Sequence, residues 1–140
     1  MKLLLSLLVL ILVFAAYIRL APSNPDRWHV DPSIASDPGR GGVLRKVTSD
    51  LAAFDAIIQA APRVRVLAGA VAEGHITYVT RSRVLGFPDY ITVKQIGPEL
   101  VILSRLRFGR SDLGVNAARL NRWLEPLWLL RIFDIYRINP

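Results

Sequence analysis

Apolar and polar positions divide this chain into three regimes. From Leu3 to Ile18 nearly every position is apolar, with only Ser6 and Tyr17 carrying polar groups. From Pro22 to Gly42 no period is visible, and prolines and glycines recur instead. Beyond Val43 helical and strand periods alternate. The expected organisation is therefore an N-terminal transmembrane anchor or signal over 1–21, an irregular tether over 22–42, and a single α+β domain over 43–140 with an apolar helical tail.

The sixteen residues Leu3–Ile18 span roughly 24 Å as a helix. Extending to Ala21, with Arg19 snorkelling to the headgroups, brings the span to about 28 Å, close to the ~30 Å core of a bilayer. Tyr17 and Arg19 would then stand at the interface. A cleaved signal peptide is the competing reading, with Val13-Phe14-Ala15 as its cleavage site, but the apolar run continues past that point. A buried core helix fits least, because no polar stripe interrupts the run. So short a tail ahead of an apolar run implies a single pass through a cell inner membrane, with the domain on the non-cytoplasmic side.

Inside the tether, Trp28 should pack back on the domain or lie at the membrane surface. His29 reads as a solvated loop histidine, having no second ligand at metal-binding spacing. Within the domain, Val43–Val47 forms a short strand and Thr48-Ser49-Asp50 offers helix caps. Leu51, Phe54, Ile57, Ile58 and Ala61 make one helical face that Pro62 ends. Val64–Val71 opens a sheet, and Glu73-Gly74 turns it. Three further strands are expected over His75–Leu85, Tyr90–Ile96 and Leu100–Phe108 as an antiparallel meander with helices on one face. A loop at 86–89 places Leu85 opposite Tyr90 and Arg81 opposite Lys94. Burial selects an even-length second loop. The core face then carries Ile76, Tyr78, Val84, Ile91, Val93, Ile102 and Leu106. Arg81, Arg83, Lys94, Arg105 and Arg107 share the other face with Tyr90 and Thr92.

After Gly109 the loop R-S-D-L-G-V-N turns into a helix. Ser111 or Asp112 suits an Asx-type turn, Gly114 a positive φ, and Asn116 the N-cap of a helix over Ala117–Leu124. Pro126 suits the first turn of a further helix. In it, Arg131, Asp134 and Arg137 would form a polar stripe, and its apolar side would cover the sheet or lie on a membrane.

Charge sharpens this picture. The 140 residues carry a net charge of +7 and no cysteine. Disulfides, a thiol nucleophile and thiolate metal sites are excluded. Of the 18 basic residues 15 are arginine, the side chain best suited to planar anions. Arg81, Arg83, Arg105, Arg107 and Arg110, with Asp112 and Asn116 at a helix entry, make a candidate anion site. Its occupant would be an anionic lipid or an acidic protein partner. The plainer alternatives are a solvated basic face, or a structural corner in which Asp112 pairs with an arginine. Five cations on neighbouring strands repel unless something lies between them.

Catalysis finds little support. A nucleophilic serine needs a histidine beside it, yet His75 stands about 23 Å along its strand from Ser82. An acid–base pair of Asp89 and Asp112 is the hydrolase alternative, with nearby arginines holding both ionised. No cofactor or metal is implied. The export-type N-terminus argues against nucleic acid as a partner.

The runs Thr80-Arg81-Ser82-Arg83, Gly86-Phe87-Pro88-Asp89-Tyr90, Ser104-Arg105, Arg107-Phe108-Gly109 and Ser111-Asp112-Leu113-Gly114-Val115-Asn116, with Arg119, resemble the bacterial domain-of-unknown-function 1499 family. The likeness covers about Val43 to Leu124. It implies an α+β fold and an important corner that includes Asp89, Gly109, Ser111 and Gly114, and it implies no activity. Leu106 stands where the family's S-R-S-R-like run has serine, which weakens a hydroxyl-based reaction there.

Overall fold

In the computed structural model, which describes the backbone of residues 1–138 and side chains through Leu129, five strands form one antiparallel sheet. The elements follow in the order α1 (Lys2–Leu20), α2 (Pro25–Trp28), β1 (Gly42–Thr48), α3 (Leu51–Ala60), β2 (Val64–Ala70), β3 (His75–Arg81), β4 (Pro88–Ile96), β5 (Glu99–Leu106) and α4 (Val115–Ile138). Across the sheet the order is β1-β5-β4-β3-β2, so β2 to β5 are a meander and β1 closes the β5 edge. The protein is thus an α+β domain preceded by one apolar helix long enough to cross a membrane, a property that anchors and signal sequences share.

The core lies on one face. Phe54 and Ile58 of α3 and Leu120, Leu124 and Leu127 of α4 pack against Ile76, Tyr78, Ile91, Val93, Leu100 and Ile102. α3 forms where expected. The Asp50 carboxylate caps it by accepting from the Ala53 amide at 3.0 Å, and Leu51, Phe54 and Ile58 recur on its inner side. Its neighbour Asp55 accepts a 2.7 Å hydrogen bond from the Tyr78 hydroxyl, whose pKa burial pushes up.

The register differs from expectation in one place. β3 ends at Arg81, and Tyr90 pairs with Val79 rather than Leu85. The cause is Ser82. Its backbone amide donates to Phe87 O and its hydroxyl accepts from the Phe87 amide, both at 2.9 Å, which closes a loop over residues 82–87. The pairing slides by six residues along β3, an even number, so the face assignment survives. Val84 does not: it sits in the loop, 77% exposed, and Leu106 is only half-buried at the end of β5. The second hairpin loop is the two residues Gly97-Pro98, since Ile96 pairs with Glu99.

The two helices expected after residue 116 are one. α4 runs from Val115 through Pro126, which sits inside it and not in a first turn. Leu127 reaches the core while Trp128 and Leu129 are half-exposed. The stripe of Arg131, Asp134 and Arg137, and the expected cover by the tail's later apolar residues, lie outside the described side chains.

The face opposite the helices is not solvated. Residues 22–37 cross it as a strap. Trp28 stacks on Tyr90 at 3.8 Å between ring centroids, and His29 stacks on His75 at 3.9 Å. The strap is irregular in backbone, yet it packs on the sheet. Gly69 explains part of the fit. Its φ is +81°, and a Cβ there would stand 2.9 Å from the His29 ring and 2.0 Å from the His75 carbonyl oxygen.

Candidate functional site

The expected corner resolves into three separate arrangements. The first is the strap face. Arg105 donates to Trp28 O at 3.3 Å, and its guanidinium lies 5.1 Å from the Trp28 ring centroid. Arg107 donates to Pro22 O at 2.9 Å and to the Tyr90 hydroxyl at 3.0 Å. Lys94 pairs with Asp31, which holds that carboxyl well below the usual range, with help from Ser33. Carbonyl dipoles, an aromatic face and one carboxylate therefore lie among these cations. That is how three of the five basic side chains expected there coexist without a solvated face. Burial lowers the pKa of Arg105, and the charge of Arg27 adds to the effect. Its buried Nε has no hydrogen-bond partner among the described residues.

His29 departs from its expectation as a solvated side chain. The Thr92 hydroxyl donates to Trp28 O, and the Thr77 hydroxyl donates to Thr92 Oγ1, both at 3.0 Å. Thr77 Oγ1 must then accept from His29 Nδ1, 2.8 Å away, so that nitrogen carries the proton. His75 Nε2 donates to Val30 O at 3.1 Å. Burial, and then His29 beside it, lowers the pKa of His75. No sequence spacing brings residues 29 and 75 together; the strap does. Among the described residues no cluster of three or more His, Asp or Glu side chains is placed to hold a metal.

The second arrangement is the entry to α4. Asp112, not Asn116, caps this helix. Its carboxylate accepts from the amides of Gly114 at 2.9 Å and Asn116 at 3.0 Å. Burial acts to raise its pKa, but the hydrogen bonds from these amides outweigh that and hold it low. Asp112 makes no ion pair with an arginine among the described residues. The carboxylate occupies the site where an anion would meet the helix amides. Asn116 is instead fully buried. It accepts from the Ser104 hydroxyl at 2.6 Å and from Arg119 at 3.3 Å, and its Nδ2 has no partner among the described residues. Arg119 also donates to Asp89 at 3.0 Å. Burial raises the pKa of Asp89 and Arg119 offsets only part. Gly109 and Gly114 take positive φ, as the turn requires, while Ser111 accepts from the Leu113 amide. Arg110 is exposed in this loop.

The third arrangement is a pair of adjoining cavities where α1 meets the sheet. One, of about 500 Å³, is lined by Arg19, Arg63, Arg65, Arg81 and Arg83 with Ser82 and Gly86. The other, of about 400 Å³, shares Arg63, Arg81, Ser82 and Arg83 and adds Thr80, Arg119 and Arg122. Among the described residues, no acidic side chain lines either. Arg81 is oriented by Gly86 O at 2.9 Å, and Arg63 Nε donates to Arg81 O at 3.2 Å from a backbone with φ of +62°. Two expected residues, Arg81 and Arg83, belong to this cleft, Arg83 from the loop and not from the strand. Arg19, Arg63, Arg65, Arg119 and Arg122 come from four other segments. The signal for Arg63 and Arg65 was their place just beyond Pro62, where α3 gives way to β2.

A five-stranded antiparallel sheet with helices on one face, hung from an apolar N-terminal helix, defines the class of the molecule. The chain belongs to a family described as protein of unknown function (DUF1499), which it matches over residues 20–127. That match takes in the strap, the sheet and the first half of α4. No curated protein and no solved structure matches the chain.

Proposed function

We propose that this is a non-catalytic, single-pass domain of a cell inner membrane, retained by α1 with the domain on the non-cytoplasmic side. Its arginine cleft binds an anionic group, a lipid phosphate in first place and the carboxylates of an acidic partner otherwise. One observation carries the reading: the arginines converge on two joined cavities whose lining has no acid, beside the end of α1. Arg119 is paired with Asp89; arginines in a concave site without such a partner favour a planar or tetrahedral oxyanion through paired donors. A cleft at the foot of a membrane helix meets such groups as lipid headgroups. In this reading Arg105, Arg107, Asp112 and Asn116, expected at the anion site, serve the scaffold, because strap carbonyls, helix amides and buried hydroxyls already engage them.

The test uses the full-length protein in detergent with phosphatidylglycerol, phosphatidylcholine or an acidic peptide, read by native mass spectrometry. Phosphatidylglycerol should be retained over phosphatidylcholine. The double variant Arg65→Gln/Arg83→Gln should lower that retention about tenfold, the worth of roughly one charge-assisted hydrogen bond, while Arg110→Gln should not. Unchanged retention in the double variant rejects the cleft, and retention of the peptide alone selects the acidic partner. The anchor has its own check. Full-length chain should stay in membranes through carbonate washing, whereas a mature form starting near Ala16 would identify a cleaved signal.

A further inference from the structure

Among the described residues, the domain covers α1 chiefly at its last turn. Most of α1 is exposed, but Ile18 is 2% exposed and Ala21, its C-cap, 6%. The groups that do the covering come from two loops and the end of β3. Tyr17 meets Phe108 edge-on at 6.0 Å, and Phe108 lies 6.1 Å from Phe87. Arg81 donates to Ile18 O at 3.5 Å, Arg19 to Val84 O at 3.5 Å, and Arg107 to Ala21 O at 3.4 Å. A helix of 19 residues is about 28 Å long, nearly the ~30 Å of a bilayer core. If α1 fills that core, Tyr17 and Ile18 lie at the hydrocarbon boundary. Whatever touches them lies there too.

These loops have the composition such a position requires. The β3–β4 loop exposes Val84 at 77% and Leu85 at 52%, and the β5–α4 loop exposes Leu113 at 92%. Leu113 is held there at φ +52°, a region leucine rarely adopts, by the Asp112 and Ser111 turn. Arg83 and Arg110 flank these residues, and the aromatic rings of Tyr17, Phe87 and Phe108 lie between the loops. Apolar tips, a ring of aromatics and flanking arginines are what a membrane interface accepts. The opposite end of the sheet carries Glu73 and Glu99 at its turns.

We infer that the β3–β4 and β5–α4 loops insert Val84, Leu85 and Leu113 into the interface of the phospholipid bilayer that α1 crosses. The domain is thereby seated on the membrane surface, with its arginine cleft facing the headgroups. The inference rests on α1 as a membrane span, as proposed above, and not on anion binding.

The chain contains no cysteine, so single labels can be placed cleanly. Full-length Leu85→Cys, Leu113→Cys and, at the far end, Ile96→Cys would carry an environment-sensitive fluorophore in phosphatidylcholine nanodiscs. Labels at 85 and 113 should emit to the blue of the label at 96 and be quenched by aqueous iodide at least threefold less. Equal quenching at the three positions overturns the inference. All three side chains are exposed, and should Leu113→Cys disturb its turn, Leu85→Cys carries the same test. The neutral lipid keeps the result separate from the cleft: shielded labels without phosphatidylglycerol selectivity would reject the cleft and leave the seating intact.

Discussion

On one face of the sheet Phe54, Ile58, Leu120 and Leu124 press into Ile76, Tyr78, Ile91 and Ile102; on the other, Trp28 and His29 lie flat on Tyr90 and His75. The helix face is closed by side chains whose only demand is volume and water exclusion. The strap face is closed by chain with no regular structure beyond the single turn of α2, so its backbone carbonyls need donors. Arg105, Arg107, Thr92 and His75 supply them. Basic residues that would mark a wet surface on an isolated sheet become the fastening of a covered one. The same residue type thus sits in two settings in this molecule: Arg105 and Arg107 beneath the strap donate to its carbonyls, and the cleft arginines line two cavities, with Arg81 and Arg63 bound to carbonyls and Arg119 paired with Asp89.

The comparison can be broken most forcefully at Phe54, which is fully buried. Phe54→Ala should cost about 4 kcal/mol of global stability in denaturant unfolding, the transfer and cavity cost of a core aromatic. Trp28→Ala should cost less, about 3 kcal/mol, because the strap can lift while the sheet stays paired. Hydrogen exchange would separate the two. Trp28→Ala should speed exchange over residues 22–37 and leave the amides of β4 and β5 protected. Simultaneous loss of protection in the strands would mean that the strap belongs to the cooperative core.

Asp112→Ala should cost about 1 kcal/mol, the usual worth of a helix N-cap. A loss near 3 kcal/mol, the scale for stranding a buried charge, would show that Asp112 serves an arginine instead. The smallest effect is a pH dependence confined to the strap face. His75 is depressed in the folded protein by burial, then by His29, with Asp31 and Lys94 acting in opposite senses nearby. The unfolded chain therefore binds that proton first as pH falls. Stability from the neutral ring is present above the ordinary histidine value of about 6.5 and is lost below it. Thermal melts should fall between pH 7.5 and 5.5, and His75→Gln should flatten that slope. An unchanged slope in the variant would assign the dependence elsewhere.

Local and periodic features were legible from the residues. Period-two alternation placed Ile76, Tyr78, Ile91, Val93 and Ile102 on one face, and the three-to-four spacing of α3 placed Phe54 and Ile58 against them. Those assignments survived a six-residue slip because a strand's faces repeat every two residues. Gly114 announced its positive φ by lacking a side chain. Of the candidate site, Arg81 and Arg83 were legible as a basic pair beside a turn, but their cleft partners were not.

Only the folded chain decided the rest, for a common reason. A strap without a period has no face to predict, so nothing in residues 22–37 says that Trp28 lies on Tyr90 or that His29 meets His75 across 46 positions. Whether Asp112 or Asn116 caps α4 depended on which side chain the sheet buried, and Ser104 drew Asn116 inward. The cleft joins arginines from α1, the α3–β2 junction, the β3–β4 loop and α4, and these meet only because the sheet order brings β2 and β3 together near the foot of α1. Sequence by itself determined which residues are apolar, charged or conformationally free. The long-range pairings, set by the packing of both faces at once, determined which of the charges fasten the strap and which line the cleft.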